Sequence, residues 1–479
     1  MRKLTALALA ALLAAAPATG QQLPELGDAS ATVLSPQMER RIGEMAISEL
    51  RRDAAYLDDP EVNGYLNAIG QRLVSAGADP RQSFIFFALR DPTVNAFAIP
   101  GGVIGVHTGL ITTAQTESEL ASVLAHEVAH VTQRHMARQV AVQQQIQPLM
   151  LLALAVGILA ARSNPGATQA AIVGSQAAGV QAFLNYSRDF EREADRIGFT
   201  TLQASGFDVS GMPSFFERLQ KSTRLYENNA PAYLRTHPLT TERIADMQGR
   251  SANEPYRQTP DSIDFRLVRA KLLAEAGTPQ QAVATFEGVI KERRFADEVA
   301  ARYGYSRALL RARGFAQADA EMATLRKTGV RHPMVENLAA QIKRESGNPE
   351  AARAILDAAM KEFPANLALG INYVETLQAL GRYPEALDAA DRLAKAYPEE
   401  PAVHELIAKT YGALGKRTAQ HRALAEFYLL KGSLPAAIQQ LQLARDAGDA
   451  DFYTLSAVDA RLRDLRTRQA EEKKEMAGK

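Results

Sequence analysis

Apolar residues recur every three or four positions along much of the chain, the spacing that places them on one face of an α-helix. Residues 37–76 show this pattern, and so does most of the chain beyond residue 262. Three short runs rich in aromatic or β-branched residues predict strands instead, at 83–89, 95–99 and 103–106. The pattern therefore predicts a fold that is mainly α with a small β-sheet.

Two long helices are predicted after the strands, from about residue 117 to 145 and from about 169 to 198. Between them, residues 149–161 are apolar on every side, but a membrane span needs roughly 20 such residues. We expect this segment to form a helix against the core or a mobile hydrophobic flap. The alternative is a surface that touches a membrane or an unfolded protein.

The C-terminal part of the chain repeats itself with a period near 34 residues. The repeat is marked by glycines 33 to 37 residues apart, at Gly277, Gly314, Gly347, Gly381 and Gly415. Alanines follow them at spacings of 34 residues, at Ala318, Ala352 and Ala386. Glycine in a turn and a small residue where two helices touch are typical of tetratricopeptide repeats, which stack into an α-solenoid. A plain helical bundle is the alternative, and the regular period argues against it.

The first twenty residues have the pattern of a secretion signal. Arg2 and Lys3 precede an apolar stretch at 4–16, and the small residues that follow suit a signal peptidase that cleaves after Gly20. A short membrane anchor is the alternative, but thirteen apolar residues are too few to span a bilayer. The chain has no cysteine, which excludes disulfides, thiol nucleophiles and lipid attachment to a cysteine.

Composition narrows the classes of function. The chain carries 55 Lys and Arg residues against 54 Asp and Glu residues, so it lacks the basic excess of a nucleic-acid-binding protein. Hydrophobic residues make up 46% of its 479 residues, which is enough for a sizeable core and too many for a disordered chain. We therefore expect a folded protein that does not bind nucleic acid.

The residues with the clearest chemistry are His126, Glu127 and His130 in the sequence His-Glu-Val-Ala-His. On a helix, two histidines four residues apart lie about 40° apart around the axis and one turn along it, so both imidazoles can bind one cation. Imidazole suits Zn²⁺, whose catalytic sites use three protein ligands and a water. Glu127 projects from the same edge of the helix and is placed to act as general base on that water.

A third metal ligand should come from a later helix, and Glu191 supplies one. Asp195 lies four residues further on the same helix face, where it can accept the second ring N–H of a zinc-binding histidine. The alternative is a salt-bridged surface made with the neighbouring arginines, Arg188, Arg192 and Arg196. Because Glu191 and Asp195 lie downstream of the two-histidine motif, the metal site is favoured over the salt-bridged surface.

Helix periodicity excludes two neighbouring side chains from this site. His135 lies five residues after His130, about 500° further around a continuous helix, so it faces away and is not expected to ligate the metal. Glu193 lies between Glu191 and Asp195 and points elsewhere by the same periodicity.

Together these motifs resemble the M48 family of zinc metallopeptidases. The resemblance rests on His-Glu-Val-Ala-His, on Glu-Arg-Glu-Ala-Asp at 191–195, and on Thr-His-Pro at 236–238 followed by Arg243. Residues 95–102 are similar to the strand and turn that precede the zinc helix in this family. The resemblance covers roughly residues 35–250.

The resemblance implies one Zn²⁺ per chain, held by His126, His130 and Glu191, with Glu127 as the base. His237 matches a family histidine that faces the zinc from the opposite side, where it either stabilises the oxyanion or replaces the water as a fourth ligand. From the bare sequence, a histidine before a proline is more often structural.

Two further roles are expected near the zinc. Arg243 matches a family arginine close to the site, although an arginine one helical turn further along is easily a surface residue. The strand predicted at 95–99 can pair with an extended substrate through backbone hydrogen bonds. The residues expected to bind substrate in this way are Asn95, Ala96, Phe97 and Ala98.

The resemblance and the patterns together predict five segments. They are a signal peptide at 1–20, a zincin-type metallopeptidase domain at 21–250, a linker at 251–261, a tetratricopeptide domain at 262–460 and a charged tail at 461–479.

The family, the leader and the repeats together imply a periplasmic zinc metalloendopeptidase with chaperone-like activity. Its expected partners are unfolded or misassembled outer-membrane proteins and the outer-membrane barrel-assembly complex. The alternative is mainly a repeat-based chaperone or adaptor whose protease site is latent or blocked. An integral-membrane member of the family would need several apolar spans, and none follows the leader.

Overall fold

The computed structural model describes residues 34–77, 82–142, 188–225, 232–255, 257 and 259–477. The predicted signal peptide and the apolar segment 149–161 lie outside the described residues. So does most of the helix predicted from residue 169 to 198, of which the structure describes the part from Arg188 onward.

The N-terminal part of the chain contains a three-stranded sheet and the helices that surround it. Its elements are α1 (Pro36–Leu50), α2 (Pro60–Ala76), β1 (Ile85–Leu89), β2 (Ala96–Ile99), β3 (Val103–His107), α3 (Thr108–Thr113), α4 (Glu117–Thr132), α5 (His135–Val142), α6 (Arg188–Ala204), α7 (Gly211–Leu225), α8 (Ala232–Thr236) and α9 (Thr241–Ala252). Ser35 and Asp59 cap α1 and α2 by accepting hydrogen bonds from backbone N–H groups, and proline begins both helices.

The strand order in the sheet is β1-β3-β2, so β2 lies at an edge. β1 pairs with β3 in parallel, and β2 pairs with β3 in antiparallel register. The three predicted strands are confirmed to within two residues at each end. Gly101 and Gly102 form the turn between β2 and β3 with positive φ, and a Cβ on Gly102 would lie 2.1 Å from the Ser83 carbonyl oxygen.

Helix α4 is the centre of this part of the fold. Every residue from Glu117 to Val131 is buried. Its apolar residues share one core with α2, the sheet and α6, and Leu66, Ile104 and Leu202 are among the fully buried members. Because the helix is enclosed on all sides, each polar side chain on it needs a partner from the surrounding elements.

The predicted continuous helix from 117 to 145 is wrong. Helix α4 ends at Thr132, and α5 begins at His135. Between them Arg134 adopts φ of 51°, the left-handed conformation, while its side chain donates a hydrogen bond to the Leu34 carbonyl at 2.7 Å. Arginine has no preference for this conformation, so the sequence carried no signal for the break.

The C-terminal part of the chain consists of stacked helix pairs. Its helices are α10 (Ile263–Glu275), α11 (Pro279–Lys291), α12 (Glu298–Arg311), α13 (Phe315–Arg326), α14 (Pro333–Glu345), α15 (Pro349–Glu362), α16 (Leu367–Ala379), α17 (Tyr383–Ala396), α18 (Pro401–Ala413), α19 (Arg417–Leu430), α20 (Leu434–Asp446) and α21 (Phe452–Ala477). Ala318, Ala352 and Ala386 are fully buried. The prediction of a helical repeat array is therefore confirmed.

Two of the predicted segment boundaries fall within helices. Residues 461–477, predicted as a charged tail, continue helix α21, and Leu462 and Leu465 are buried. The predicted linker begins inside α9, which extends to Ala252. No helix in the described part of the chain is long and apolar enough to cross a membrane.

A buried lysine joins the repeats to the N-terminal part. Lys271 of α10 is 6% exposed, and its Nζ lies 2.5 Å from an Asp59 carboxylate oxygen and 2.7 Å from one of Glu61. Both carboxylates belong to the start of α2. The pairing gives the buried ammonium two anionic partners and gives both carboxylates a cation.

Lys271→Met should therefore destabilise the protein, because it leaves Asp59 and Glu61 without their cation. Breaking a buried pair in this way costs about 3 kcal/mol or more in free energy of unfolding, measured by urea denaturation. Lys291→Met is the matched control, since Lys291 is exposed and pairs with Glu287 on its own helix. Equal denaturation midpoints for the two variants would contradict this assignment.

Candidate metal centre

Two helices bring together the three side chains that are expected to bind a metal ion. On α4, His126 Nε2 lies 3.0 Å from His130 Nε2. The Glu191 carboxylate of α6 lies 3.5 Å from His126 Nε2 and 3.4 Å from His130 Nε2. Gly198 lets the two helices approach, since a Cβ there would lie 3.1 Å from the His126 backbone nitrogen.

His237 completes the cluster from the opposite side. It follows the short helix α8, and its Nδ1 lies 3.3 Å from His126 Nε2 and 3.1 Å from Glu191 Oε1. The four donor atoms lie within 4.8 Å of one another, and all four side chains are buried. Tetrahedral Zn²⁺ with ligands at about 2.0–2.1 Å places its donor atoms about 3.3 Å apart, so this set fits a zinc ion.

Asp195 and Arg243 contact two of the candidate ligands, His126 and Glu191. Asp195 Oδ1 lies 2.9 Å from His126 Nδ1, which orients His126 so that Nε2 faces the other donors. The Arg243 guanidinium donates hydrogen bonds to Asp195 at 2.6 and 2.8 Å and lies 2.9 Å from Glu191 Oε2. One buried arginine thus holds the carboxylates of Glu191 and Asp195, and its position is not that of a surface residue.

Neighbouring charged groups and burial shift the pKa values of the donor residues in opposite directions. Burial opposes protonation of His126, but its contacts with Asp195 and Glu191 outweigh burial and raise its pKa to about 9. Burial lowers the pKa of His130 to about 3. Burial would raise the pKa of Glu191, but the charge of His237 and hydrogen bonds from the histidines hold it well below its ordinary value. The negative potential of the carboxylates therefore attracts a cation to this site.

Glu127 differs from Glu191 and Asp195 because it accepts no hydrogen bond from the described residues. It is fully buried, and neither of its carboxyl oxygens has a hydrogen-bond partner among the described residues. His237 Nε2 lies 3.5 Å from Glu127 Oε1. Burial raises the pKa of Glu127 above its ordinary value, against the opposing charges of His237 and His126. A carboxylate in this state can accept and hold a proton.

Three residues near the cluster were missed or misplaced by the sequence analysis. His135 was expected to face away, but its Nδ1 lies 2.9 Å from His130 Nδ1, because the break at Arg134 turns the chain back. Glu193 was expected to point elsewhere, and it lies 3.2 Å from His135 Nε2. The ring of Tyr233 stacks on His237 with centroids 4.6 Å apart. For Tyr233, only its place one turn before His237 could have drawn attention.

The strand expected to bind substrate borders the cluster. Asn95, Ala96, Phe97 and Ala98 are all at most 9% exposed, so their side chains offer little to a ligand. Phe97 packs against Phe87 inside the sheet. A cleft runs beside β2 and the metal helix, lined in part by Ala98, Ile99, His130 and Met136. Contact with a substrate through the backbone of β2 stays a prediction, since the side chains of these four residues are buried.

Comparison with known proteins places the chain in a family. The profile of Peptidase family M48 matches residues 60–251, and a tetratricopeptide repeat profile matches residues 343–410. The beta-barrel assembly-enhancing protease of Escherichia coli (strain K12) is 32% identical over 455 residues, which cover 93% of this chain and 92% of that protein. The chain belongs to peptidase family M48. It is a metallopeptidase with C-terminal tetratricopeptide repeats, as the sequence motifs predicted.

Two other relatives show how far the similarity of this M48 peptidase extends. The putative beta-barrel assembly-enhancing protease of Vibrio cholerae is 32% identical over 446 residues, with 93% of this chain and 92% of that protein covered. The mitochondrial metalloendopeptidase OMA1 of Schizosaccharomyces pombe is 28% identical over 184 residues, 38% of this chain and 51% of that protein.

Divalent metal should stabilise the folded M48 peptidase, because the four donors converge only in the folded state. With free metal at 1,000 times its Kd, the stabilisation is about 4 kcal/mol. The melting temperature of chelator-treated protein should rise with Zn²⁺ but not with Mg²⁺, which prefers oxygen ligands. The rise should disappear in His130→Ala, and an unaltered chain that shows no rise would exclude a metal site here.

Proposed function

We propose that the chain is an exported zinc endopeptidase of the periplasm that acts on unfolded or misassembled outer-membrane proteins. The observation that carries the proposal is the convergence of His126, His130, Glu191 and His237 within 4.8 Å, beside the unpartnered carboxylate of Glu127. The outer-membrane role is supported by relatives of similar length whose names describe barrel assembly. Export is supported by the leader-like residues 1–20.

The proposed chemistry is hydrolysis of a peptide bond. Bound zinc would polarise the peptide carbonyl and make a water more acidic. Glu127 accepts the proton of the attacking water at a carboxyl oxygen and returns it to the leaving amine. Its raised pKa suits both steps, because burial makes the protonated form more accessible than it is for an exposed carboxylate. Asp195 holds His126 in orientation, and Arg243 holds Asp195.

Substrate would bind as an extended chain along the edge strand β2. This strand is hydrogen-bonded only to β3 within the described sheet, and the cleft beside it leads to His130. Backbone pairing needs no particular side chains, which suits clients that share an unfolded state rather than a sequence. The repeats, proposed to span 262–460, would recruit these clients or the barrel-assembly complex and supply the chaperone-like activity.

Glu127→Gln should lower the rate of casein cleavage by about 10²- to 10⁴-fold, because the amide cannot take a proton from water. Zinc content should stay unchanged, since Glu127 is not among the four clustered donors. Glu217→Gln is the matched control, because Glu217 lies on α7 and bonds to Gln248. If the Glu127 variant cleaves casein as fast as the unaltered protein, the protease proposal fails.

One observation favours a second possibility, a peptidase that is latent at rest. His237 Nδ1 is within 3.3 Å of both His126 Nε2 and Glu191, so it occupies the position that a water would take as fourth ligand. In this state the repeats would act as an adaptor while the site stays closed. Opening would require His237 to move away, together with Tyr233 stacked on it.

His237→Ala should raise basal casein cleavage if His237 blocks the site. With the blocked form at about 90% of the population, release would increase activity about 10-fold. A fall in activity with unchanged zinc content would instead assign His237 to stabilisation of the oxyanion. Cleavage rate and bound zinc are measured on the same preparation.

A further inference from the structure

The Nδ1 atoms of His126 and His130, the two histidines on α4, face different partners. His126 Nδ1 faces the carboxylate of Asp195 at 2.9 Å. His130 Nδ1 faces another imidazole, Nδ1 of His135, also at 2.9 Å. His135 is fully buried, and its other nitrogen, Nε2, lies 3.2 Å from Glu193 Oε2. Each of the two histidines therefore has its own partner at Nδ1, a carboxylate for His126 and an imidazole for His130.

We propose that His135 is a positioning residue that fixes the tautomer and the ring orientation of His130. The inference rests on the proposed zinc site. His130 can ligate through Nε2 only if its proton is on Nδ1, which must then donate to an acceptor. His135 Nδ1 is that acceptor, so the proton of His135 is on Nε2 and is donated to Glu193. A single direction of hydrogen bonding thus runs from His130 to Glu193.

The surroundings hold His135 in the one orientation that this chain of hydrogen bonds requires. The ring of Phe190 stacks on the His135 ring with centroids 4.8 Å apart and an angle of 20°. Arg138 donates to Glu193 Oε2 at 2.8 Å and lies over the Phe190 ring at 4.8 Å. Glu193 is thereby held by two donors, which keeps its carboxylate facing His135.

The left-handed turn at Arg134 makes this arrangement possible. On a continuous helix His135 would lie about 140° around the axis from His130, and the two rings could not meet. The break between α4 and α5 brings the ring centroids to 4.8 Å. The side chain of Arg134 is anchored to the Leu34 carbonyl and to Glu39, so the turn is tied to the start of α1.

Two substitutions of His135 separate hydrogen bonding from packing. His135→Phe keeps the ring and its stacking on Phe190 but removes the acceptor for His130. His135→Asn loses the ring but keeps an acceptor near the position of Nδ1. We expect His135→Phe to weaken zinc binding about 10- to 100-fold and His135→Asn to stay within about 3-fold of the unaltered protein. The Kd is measured by competition with a chromophoric chelator on the full chain.

Melting temperatures of the metal-free variants are measured alongside, so that a folding defect is distinguished from a loss of zinc affinity. If His135→Phe fails to fold, Glu193→Met takes its place, because it leaves His135 Nε2 without its acceptor and should weaken zinc binding at least about 3-fold. His332→Asn is the control, since His332 is a buried histidine that bonds to Asp264 in the repeats. Its zinc affinity should match that of the unaltered protein.

The outcomes distinguish this inference from the proposed function. Zinc affinity that falls in His135→Phe and persists in His135→Asn supports the positioning role. Equal affinity in His135→Phe and the unaltered protein overturns it, and so does a larger loss in His135→Asn, which would indicate packing. An unaltered chain that binds no zinc overturns the proposed zinc site and this inference with it. Normal zinc binding without casein cleavage contradicts only the proposed protease.

Discussion

The structure depends on one constraint, the enclosure of His126, Glu127 and His130 on a helix whose residues from Glu117 to Val131 are all buried. A buried polar group without a partner costs about 1–3 kcal/mol, and a buried charge costs more. The described residues meet this constraint with partners from separate elements. Asp195 comes from α6, His135 from α5 and His237 from the residue after α8. Glu127 is the exception, because its carboxyl oxygens accept no hydrogen bond from the described residues, which leaves them free to take a proton as a general base does. The residue that carries the free-energy cost of a buried carboxylate without hydrogen bonds is therefore also the residue proposed to act as the base.

The same helix also joins the two parts of the molecule. At its first residue, the Glu117 carboxylate accepts hydrogen bonds from the backbone and the hydroxyl of Ser262, which caps the first repeat helix. The Tyr65 hydroxyl of α2 donates to the same carboxylate. One end of α4 is thus attached to the repeats, and the other end carries the two histidines proposed to bind the metal. A displacement of the repeats would act on the N-terminal end of the helix that carries the site.

Features that depend on spacing within one element were predicted better from the sequence than features that depend on contacts between distant residues. The strands, the repeat period and the pairing of His126 with His130 follow from spacing along a single element, which the sequence displays directly. Asp195 was expected behind a histidine because a four-residue spacing puts it on the face of Glu191. His135 was predicted to face away on a continuous helix, and the break at Arg134 depends on contacts with Leu34 and with Glu39 of α1. Glu193 was misplaced with it, since its partner is His135. The error therefore arose where tertiary contacts override helix periodicity.

The charges at the site give a physical reason for it to hold a cation. Among the described residues of the cluster, Glu127, Glu191 and Asp195 bring three carboxyl groups, and Arg243 brings one guanidinium. The remaining negative potential is the reason that the pKa of His126 is raised to about 9 despite its burial. A proton on His126 and a metal ion at its Nε2 compete for the same potential, because only a neutral imidazole ligates. A divalent ion bound here would compensate the negative charge of the buried carboxylates and displace the proton of His126. The same carboxylates that raise the free energy of the metal-free site therefore favour the site with a metal ion bound.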